Sequence, residues 1–223
     1  MSKTLRVVVP PHPLIGHWLT LLRDAETPPA LFGTAMAELG RWLTYEAMRD
    51  WIPYQRVSVR TPLATTEGTV VDGAVSMLAV PILRAGLGLW DGARPVLPTA
   101  SVAHMGFARH ASSGTASCYY DGLPDQIPEH AGVLVFEPMV ATAGTLIQVL
   151  ERLEAKGVAG PRVRVISALA AAPGLKTLGE RYGDLTIYTG CIDAELDAAF
   201  RIVPGLGDAG DRLYGRPQQG SLG

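Results

Sequence analysis

The amino-acid sequence predicts an α/β fold in which a mainly parallel sheet is flanked by helices. Two observations support this prediction. From residue 76 onward, short apolar segments alternate with amphipathic segments and turn residues, as expected when strands and helices follow one another. The short segments are apolar almost throughout, which is typical of parallel strands covered on both faces. In sheets of this type, ligands bind beyond the carboxyl ends of the strands.

The N-terminal quarter, residues 1–53, is predicted to be a helical arm. Residues 12–23 have the pattern of a short helix, and residues 27–29 form a proline-containing connection. A second helix is predicted over residues 31–51, and Pro53 ends it. Its apolar residues are spaced mainly three or four apart: Phe32, Met36, Leu39, Leu43, Ala47 and Met48.

The remainder of the chain is predicted to contain five strands and three helices. The predicted strands are residues 76–81, 100–107, 133–137, 163–170 and 185–189. The predicted helices are residues 86–97, 144–156 and 174–182. A length of 223 residues suits one α/β domain covering residues 1–223.

Two polar or Gly-rich segments, residues 109–128 and 204–215, fit neither pattern and are predicted to be loops. Ordered loops of this length are often functional. A lid, formed by a hairpin or a loop over residues 109–128, and a substrate loop near the C-terminus are therefore expected. Plain surface connections remain the alternative for both.

Charge and cysteine content exclude several classes of function. The net charge of -2 and the pI near 6.2 leave no broad basic surface for nucleic acid, whose binding depends on phosphate contacts. No apolar run approaches the length of a membrane span, and no export signal is visible. Cys118 and Cys191 are isolated and are expected to be reduced thiols. We therefore expect a cytoplasmic protein that binds neither nucleic acid nor membrane.

Residues 133–150 carry the pattern of a phosphate site. Their sequence, VLVFEPMVATAGTLIQVL, places a buried strand, the acidic Glu137, a loop of small residues and a helix in succession. Such a loop directs backbone N–H groups and a helix N-terminus at an anion, and the hydroxyls of Thr142 and Thr145 can add donors. Small residues at such a turn also permit tight packing without any ligand, so this pattern alone leaves both interpretations open.

The same segment resembles the ribose-phosphate motif of type I phosphoribosyltransferases. Three further segments resemble the uracil phosphoribosyltransferase family in particular: VPILRAGLG (80–88), VAHMGFAR (102–109) and IVPGLGDAGDR (202–212). The motifs occur in the family's order, and the resemblance extends from residue 12 to residue 215. It implies a type I phosphoribosyltransferase-like fold with an atypical ribose-phosphate motif.

The resemblance implies transfer of a phosphoribosyl group from phosphoribosyl pyrophosphate (PRPP) to N1 of uracil, giving UMP and pyrophosphate in pyrimidine salvage. Departure of pyrophosphate requires fixed cations. The motif match assigns this role to Arg84 and Arg109 and places Asp208 between base and pyrophosphate, so these three are the implied catalytic residues. Without the resemblance, both arginines would be interpreted as exposed surface residues. The implied cofactor is Mg²⁺, held mainly through PRPP, so no metal ligand from the protein is expected.

The motif match also implies two sets of binding residues. The PRPP-binding residues are Arg84, Arg109, Glu137, Pro138, Met139, Val140, Ala141, Thr142, Ala143, Gly144, Thr145 and Asp208. The base-binding residues, within a base-binding loop over residues 201–215, are Arg201, Ile202, Gly207, Asp208 and Ala209. A Gly-rich turn with an ion pair between Asp211 and Arg212 is the alternative for this loop. The implied partners are PRPP and a pyrimidine base, and the helical arm resembles the family's dimerising arm, which implies a homodimer or larger homo-oligomer.

Four positions depart from the family pattern, which has Asp at Glu137, Gly at Ala143, Tyr at Arg201 and a basic residue at Gly122. The extra methylene of Glu137 moves its carboxylate outward, and Ala143 adds a Cβ where a left-handed backbone is expected. Arg201 can pair with an acidic group that uracil lacks. Three hypotheses follow: a uracil phosphoribosyltransferase, a phosphoribosyltransferase for an acidic or modified pyrimidine, and a non-catalytic nucleotide-binding protein.

Overall fold

A computed structural model describes residues 4–74, 76–109 and 116–215. The elements of the first half, in chain order, are β1 (Arg6–Val8), α1 (Pro13–Arg23), α2 (Pro29–Met48), β2 (Tyr54–Arg60), β3 (Thr65–Val71), β4 (Met77–Leu83), α3 (Gly86–Ala93), β5 (Ser101–Val102), β6 (Met105–Arg109) and β7 (Ala116–Asp121). Those of the second half are β8 (Gly132–Phe136), β9 (Met139–Val140), α4 (Gly144–Ala155), β10 (Val163–Ser167), β11 (Leu169–Ala171), α5 (Ala172–Arg181), β12 (Thr186–Thr189), β13 (Ile192–Asp193), β14 (Glu195–Leu196), β15 (Ile202–Val203) and α6 (Ala209–Tyr214).

The central sheet has eight strands in the order β1-β12-β10-β8-β4-β6-β7, with β5 beside β4. All neighbouring strands run parallel except β6 and β7. Every residue of β8 and β10 is buried, and β4 is buried except at Leu83. The predicted α/β fold, with apolar parallel strands covered on both faces, is confirmed.

Helices cover the two faces of this sheet with separate apolar cores. One core contains the buried faces of α1, α2 and α3, with Phe32, Leu39 and Leu89 fully buried. The other contains the buried faces of α4 and α5, including Leu153 and Leu178. The sheet is therefore held between two helical layers, which leaves the carboxyl ends of its strands available for a site.

The predicted helices agree with the structure to within a few residues, but two predicted strands are broken. Predicted strand 100–107 is divided into β5 and β6. Predicted strand 163–170 is interrupted at Ala168, and the segment beyond it, β11, leaves the central sheet to pair with β9 and β13. Strand β9 of this small parallel sheet comes directly before residues 141–145, the loop predicted to bind phosphate.

Two local predictions need correction. The hairpin β2–β3, residues 54–71, was not predicted, because nearly all of its residues are exposed and it lacks an apolar face. Over residues 109–128, for which the sequence predicts a hairpin or a loop, β7 pairs antiparallel with β6 as in the hairpin alternative, while residues 110–115 lie outside the described part of the chain. The predicted loop 204–215 ends in α6, where the Asp208 carboxylate accepts a hydrogen bond from the Asp211 N–H at 2.9 Å and caps the helix. Among the described residues, no helix is both long and apolar enough to cross a membrane.

Candidate active site

Three of the predicted site residues follow neighbouring parallel strands of the central sheet. Arg84 comes directly after β4, Glu137 directly after β8, and Arg109 is the last residue of β6. Because parallel strands end at the same edge of a sheet, these residues gather at one edge. The peptide bond between Leu83 and Arg84 is cis. The side chain of Arg109 lies outside the described part of the structure.

The predicted phosphate-site loop, residues 141–145, joins β9 to α4. Ala143 has φ 67°, so this alanine adopts the left-handed conformation expected from the sequence. The Gly144 N–H donates to Thr142 Oγ1 at 3.4 Å. A Cβ at Gly174, in the first turn of α5, would lie 2.2 Å from the Ala141 carbonyl oxygen. Glycine at position 174 is therefore required for the close packing of α5 against the loop at Ala141.

The predicted PRPP-binding residues of this segment divide into two groups. Pro138, Val140, Ala141 and Ala143 are buried, and Met139 is half-buried; these apolar residues can form hydrogen bonds with a ligand only through their backbones. Glu137, Thr142, Gly144 and Thr145 reach the surface at the N-terminal end of α4. This second group offers a carboxylate, two hydroxyls and helix N–H groups, a donor set suited to a phosphorylated sugar.

A cavity of about 120 Å³ lies between the phosphate-site loop and the predicted base-binding loop. It is lined by Met139, Ala141, Phe200, Arg201, Ile202, Leu206, Gly207 and Asp208. A single water needs about 10–15 Å³ of such space, so the cavity can hold a small ring compound. Its apolar side chains with a few polar groups are typical of sites for small organic ligands.

The cavity brings together some of the predicted site residues and adds others. Ala209 was predicted to bind the base, but it is fully buried and does not line the cavity. Met139 was predicted to bind PRPP, and its side chain lines this cavity as well. Phe200 and Leu206 were not predicted. Phe200 has φ 60°, a strained conformation for a bulky residue, and the sequence shows no periodicity there that could reveal it.

Arg84 and Asp208 both lie near Gly210 of α6. A Cβ at Gly210 would lie 3.2 Å from Arg84 Nη2 and 3.3 Å from Asp208 Oδ1. Arg84 Nη2 lies 3.2 Å from Asp211 Oδ1, with which it forms an ion pair. The start of α6 thus places one carboxylate against the predicted pyrophosphate arginine and another, that of Asp208, at the cavity.

Arg201 lies at the rim of the cavity in an ion pair. Its Nε donates to Asp197 Oδ2 at 2.7 Å, and its backbone N–H donates to Asp197 Oδ1 at 2.8 Å. The backbone hydrogen bond and the guanidinium lower the pKa of the Asp197 carboxyl. Asp197 therefore neutralises the charge of Arg201 within the loop, so Arg201 does not present an unpaired positive charge to the cavity.

The alternative ion pair between Asp211 and Arg212 is not formed. Asp211 pairs with Arg84, and Arg212 donates to the backbone carbonyls of Leu22, Asp24 and Leu206. Among the described residues, no group of three or more His, Cys, Asp or Glu side chains is placed to hold a metal ion. The polar groups of the site are thus arginines, carboxylates, hydroxyls and backbone amides.

Comparisons with known proteins identify the family of this chain. The chain matches the family described as uracil phosphoribosyltransferase over residues 9–216. A uracil phosphoribosyltransferase of Synechococcus elongatus is 51% identical over 97% of this chain and 100% of its own length. One from Nicotiana tabacum is 42% identical over 94% of this chain and 93% of its own length. The solved structure of the AQ2163 protein from Aquifex aeolicus has a TM-score of 0.84 and 34% identity, covering 94% of this chain and 98% of that one. This chain belongs to the uracil phosphoribosyltransferase family.

Proposed function

We propose that the protein transfers the phosphoribosyl group of PRPP to N1 of uracil, releasing UMP and pyrophosphate. The observation that carries this proposal is the position of the cavity, which has residues of the phosphate-site loop on one side and residues 200–208 on the other. A nucleotide needs this juxtaposition of a phosphate site and a site for a flat ring. The names of the relatives identify the same reaction, and the function falls within pyrimidine salvage.

The roles of the charged residues follow from where negative charge develops. As the bond between the sugar C1 and pyrophosphate breaks, charge accumulates on the leaving group, and fixed cations lower the barrier. Arg84, at the end of β4, supplies one such cation, and Arg109 is proposed as the second. Asp208 lines the cavity and lies, like Arg84, near Gly210, and we propose that it orients the incoming base.

The remaining contacts hold the substrate. The 5′-phosphate is proposed to bind the backbone N–H groups and hydroxyls of residues 141–145 at the start of α4, and Glu137 accepts hydrogen bonds from the ribose hydroxyls. Backbone groups of residues 202–208 pair with the edge of uracil. A site that pairs with each polar group of the base rejects cytosine, because its amino group and unprotonated N3 leave those partners unsatisfied.

We propose Mg²⁺ as the cofactor. Among the described residues no group of three or more His, Cys, Asp or Glu is placed to hold a metal ion, and phosphate-bound Mg²⁺ usually takes most of its ligands from the substrate and water, so the residues present fit a metal held mainly through PRPP. When bound, the ion neutralises charge on the pyrophosphate. The protein itself supplies the arginines and the phosphate-site amides.

An acidic pyrimidine acceptor is less well supported. The hypothesis of an acidic acceptor depends on the charge of Arg201, but Asp197 already pairs with that guanidinium at 2.7 Å. Uracil, which is neutral, needs no added cation at the rim. The presence of Arg84, Asp208 and an open cavity together also favours an enzyme over a non-catalytic nucleotide-binding protein.

We propose that residues 1–223 act as one catalytic domain, with residues 1–53 as a helical arm and residues 109–128 as a lid, and that the protein forms a homodimer or larger homo-oligomer. The hairpin β2–β3 supports association, because a two-stranded hairpin is marginally stable alone and it exposes several apolar side chains: Tyr54, Val59, Leu63, Val70 and Val71. Light scattering of the purified protein tests this.

We expect the reaction in the cytoplasm, where thiols such as those of Cys118 and Cys191 stay reduced.

The test of the proposed activity is pyrophosphate release from PRPP with Mg²⁺ and a panel of free pyrimidines. We expect release with uracil, at least 100-fold less with cytosine and orotate, and none with EDTA. Release with orotate but not with uracil would assign the chain to another acceptor. No release with any base, from a folded protein that binds PRPP, would support a non-catalytic role.

A further inference from the structure

The segment of residues 204–208, whose last three residues line one side of the cavity, contains a turn that requires glycine at position 205. Gly205 has φ +64°, and a Cβ at this position would lie 2.2 Å from the Ile202 carbonyl oxygen. Leu206, Gly207 and Asp208 follow and line the cavity directly. Whatever fixes Gly205 therefore fixes the geometry presented to the base.

A buried ion pair holds both backbone groups of Gly205. Arg23, the last residue of α1, donates to the two carboxylate oxygens of Asp193 at 2.9 and 2.6 Å. The same guanidinium donates to the Gly205 carbonyl at 3.0 Å, and the Gly205 N–H donates to Asp193 Oδ2 at 2.9 Å. The Asp193 side chain is only 5% exposed. Bidentate pairs of this kind fix orientation as well as distance.

A second arginine ties the next residue of the segment, Leu206, to the same helix. Arg212, in α6, donates to the Leu206 carbonyl at 2.8 Å and to the carbonyls of Leu22 and Asp24, which belong to the C-terminal end of α1 and the residue after it. Its guanidinium carbon lies 4.1 Å from the ring centroid of Phe32, within the range of a cation–π contact. The segment 204–208 is thus connected to the arm through two consecutive residues.

The phosphate-site loop has its own direct contacts. It is held by β9, α4 and the close packing of Gly174 against Ala141. Asp193 lies in β13, which is joined to β9 through β11, so the two sides of the cavity share this small sheet. The side-chain hydrogen bonds of Arg23 and Asp193, however, reach Gly205 directly, so loss of either side chain is expected to affect residues 206–208 more than the phosphate-site loop.

We propose that Arg23 and Asp193 are positioning residues for base recognition, acting through Gly205 on the backbone that lines the cavity. This inference rests on the proposed function, because it takes residues 204–208 as the side that contacts the base. Neither residue reaches the base or PRPP itself. Their effect is to restrict the segment to the conformation in which its N–H and C=O groups match a uracil edge, which reduces the ordering required on binding.

The test compares the binding of UMP and of ribose 5-phosphate by calorimetry, together with KM for uracil and for PRPP. For Arg23→Gln and Asp193→Asn we expect UMP affinity to fall at least tenfold and KM for uracil to rise by a similar factor. Ribose 5-phosphate affinity and KM for PRPP should change by less than threefold. Arg23→Lys keeps the charge but not the planar pair of donors. Its UMP affinity and its KM for uracil should lie between those of the parent and those of Arg23→Gln.

Arg181→Gln is the matched control, because Arg181 forms an ion pair with Glu151 at 2.8 Å on α5, away from the cavity, and its loss should leave all four quantities unchanged. Equal losses for UMP and ribose 5-phosphate, or no loss for either, in folded variants would overturn the positioning role. Should Arg23→Gln fail to fold, Arg23→Lys decides by the same comparison. A parent protein that binds neither UMP nor uracil would instead refute the proposed function.

Discussion

Arg84, at the end of β4, and Asp211, in α6, form an ion pair with Nη2 and Oδ1 3.2 Å apart. The pair joins residues 127 positions apart in the chain and lies beside the cavity. Both side chains are partly exposed, so the pair contributes little to stability. Under the proposed function, the Asp211 carboxylate competes with pyrophosphate for this guanidinium.

Replacing Arg84 with alanine should abolish stabilisation by PRPP. A ligand that binds only the folded state raises its stability by mass action, and PRPP with Mg²⁺ should raise the Tm of the parent protein at millimolar concentration. We expect little or no rise for Arg84→Ala. Arg94→Ala, at the other end of α3, should respond like the parent. A full Tm shift in Arg84→Ala would show that Arg84 does not bind PRPP.

Replacing Asp211 with asparagine should strengthen PRPP binding. The Asp211 carboxylate competes with pyrophosphate for Arg84 and repels its negative charge. An exposed ion pair contributes about 0–1 kcal/mol, which corresponds to a change of up to about fivefold in a binding constant. We expect KM for PRPP to fall about two- to fivefold in Asp211→Asn, with Tm nearly unchanged. A rise in KM would mean that Asp211 orients Arg84 rather than competing for it.

The sequence predicts the parts of this structure that depend on continuous apolar runs. Strands β4, β8 and β10 are buried on both faces and give continuous apolar runs, and helices α2 and α4 are buried along one face and give an apolar spacing of three or four residues. Hairpin β2–β3 and strand β7 show neither pattern, since most of their residues contact solvent. Helix α6 has only six residues, and its capping by Asp208 is its one local signal.

The site shows the same division. The resemblance predicts roles for Arg84, Glu137, residues 141–145 and Asp208, because these lie in continuous motifs. The pairing of Arg23 with Asp193 joins residues 170 positions apart and has no local pattern. The partner of Arg201 was also beyond prediction, since Asp197 is one of several acidic residues in the chain and only the turn of the backbone brings it close.

Neutralising Arg201 should have little effect on the choice of base. Asp197 pairs with its guanidinium at 2.7 Å, and the Arg201 side chain is 76% exposed. Solvent and a neighbouring carboxylate both weaken any attraction for an acidic base. We expect Arg201→Gln and Arg201→Tyr to change the ratio of kcat/KM for uracil to that for orotate by less than threefold. A tenfold change in either direction would restore Arg201 as a selectivity element.

The Arg23–Asp193 pair should make stability depend on pH in the acid range. Burial acts to raise the pKa of the Asp193 carboxyl, but hydrogen bonds from Arg23 and from the Gly205 N–H outweigh it, and the pKa falls below its ordinary value of 3.8. The unfolded chain therefore binds a proton at a higher pH than the folded protein does. The stabilisation is complete well above pH 3.8 and is lost as pH falls from there toward the lowered pKa of the folded state.

Urea unfolding of the parent and of Asp193→Asn at a series of pH values measures this contribution. The free energy of unfolding of the parent should exceed that of the variant by a constant amount above about pH 5, and the gap should narrow as the pH falls below about 4. Asp50, whose pKa is lowered mainly by a hydrogen bond from Arg164, titrates in both proteins and cancels in the comparison. A gap that stays constant down to pH 2.5 would contradict the lowered pKa.

The final prediction concerns the two departures in the phosphate-site loop, Glu137 and Ala143. The loop already adopts φ 67° at Ala143, at a strain of about 1–2 kcal/mol. Glycine would relieve this strain, but it would also lose a buried methyl contact, worth about 0.8 kcal/mol, and increase the freedom of the unfolded chain by about 0.4–1 kcal/mol. These contributions nearly cancel, so Ala143→Gly should change the free energy of unfolding by less than about 1 kcal/mol and kcat/KM by less than threefold.

Glu137→Asp should behave differently, because it withdraws the carboxylate from the ribose hydroxyls by one methylene. Hydrogen bonds to a charged group contribute about 1.5–3 kcal/mol, so kcat/KM with uracil should fall about tenfold or more. The double variant should match Glu137→Asp within threefold, since the alanine is already accommodated. Steady-state kinetics at saturating PRPP and at saturating uracil measure each effect. If Glu137→Asp instead raises kcat/KM, and the double variant raises it further, then the substitutions at positions 137 and 143 impair this protein rather than fit it.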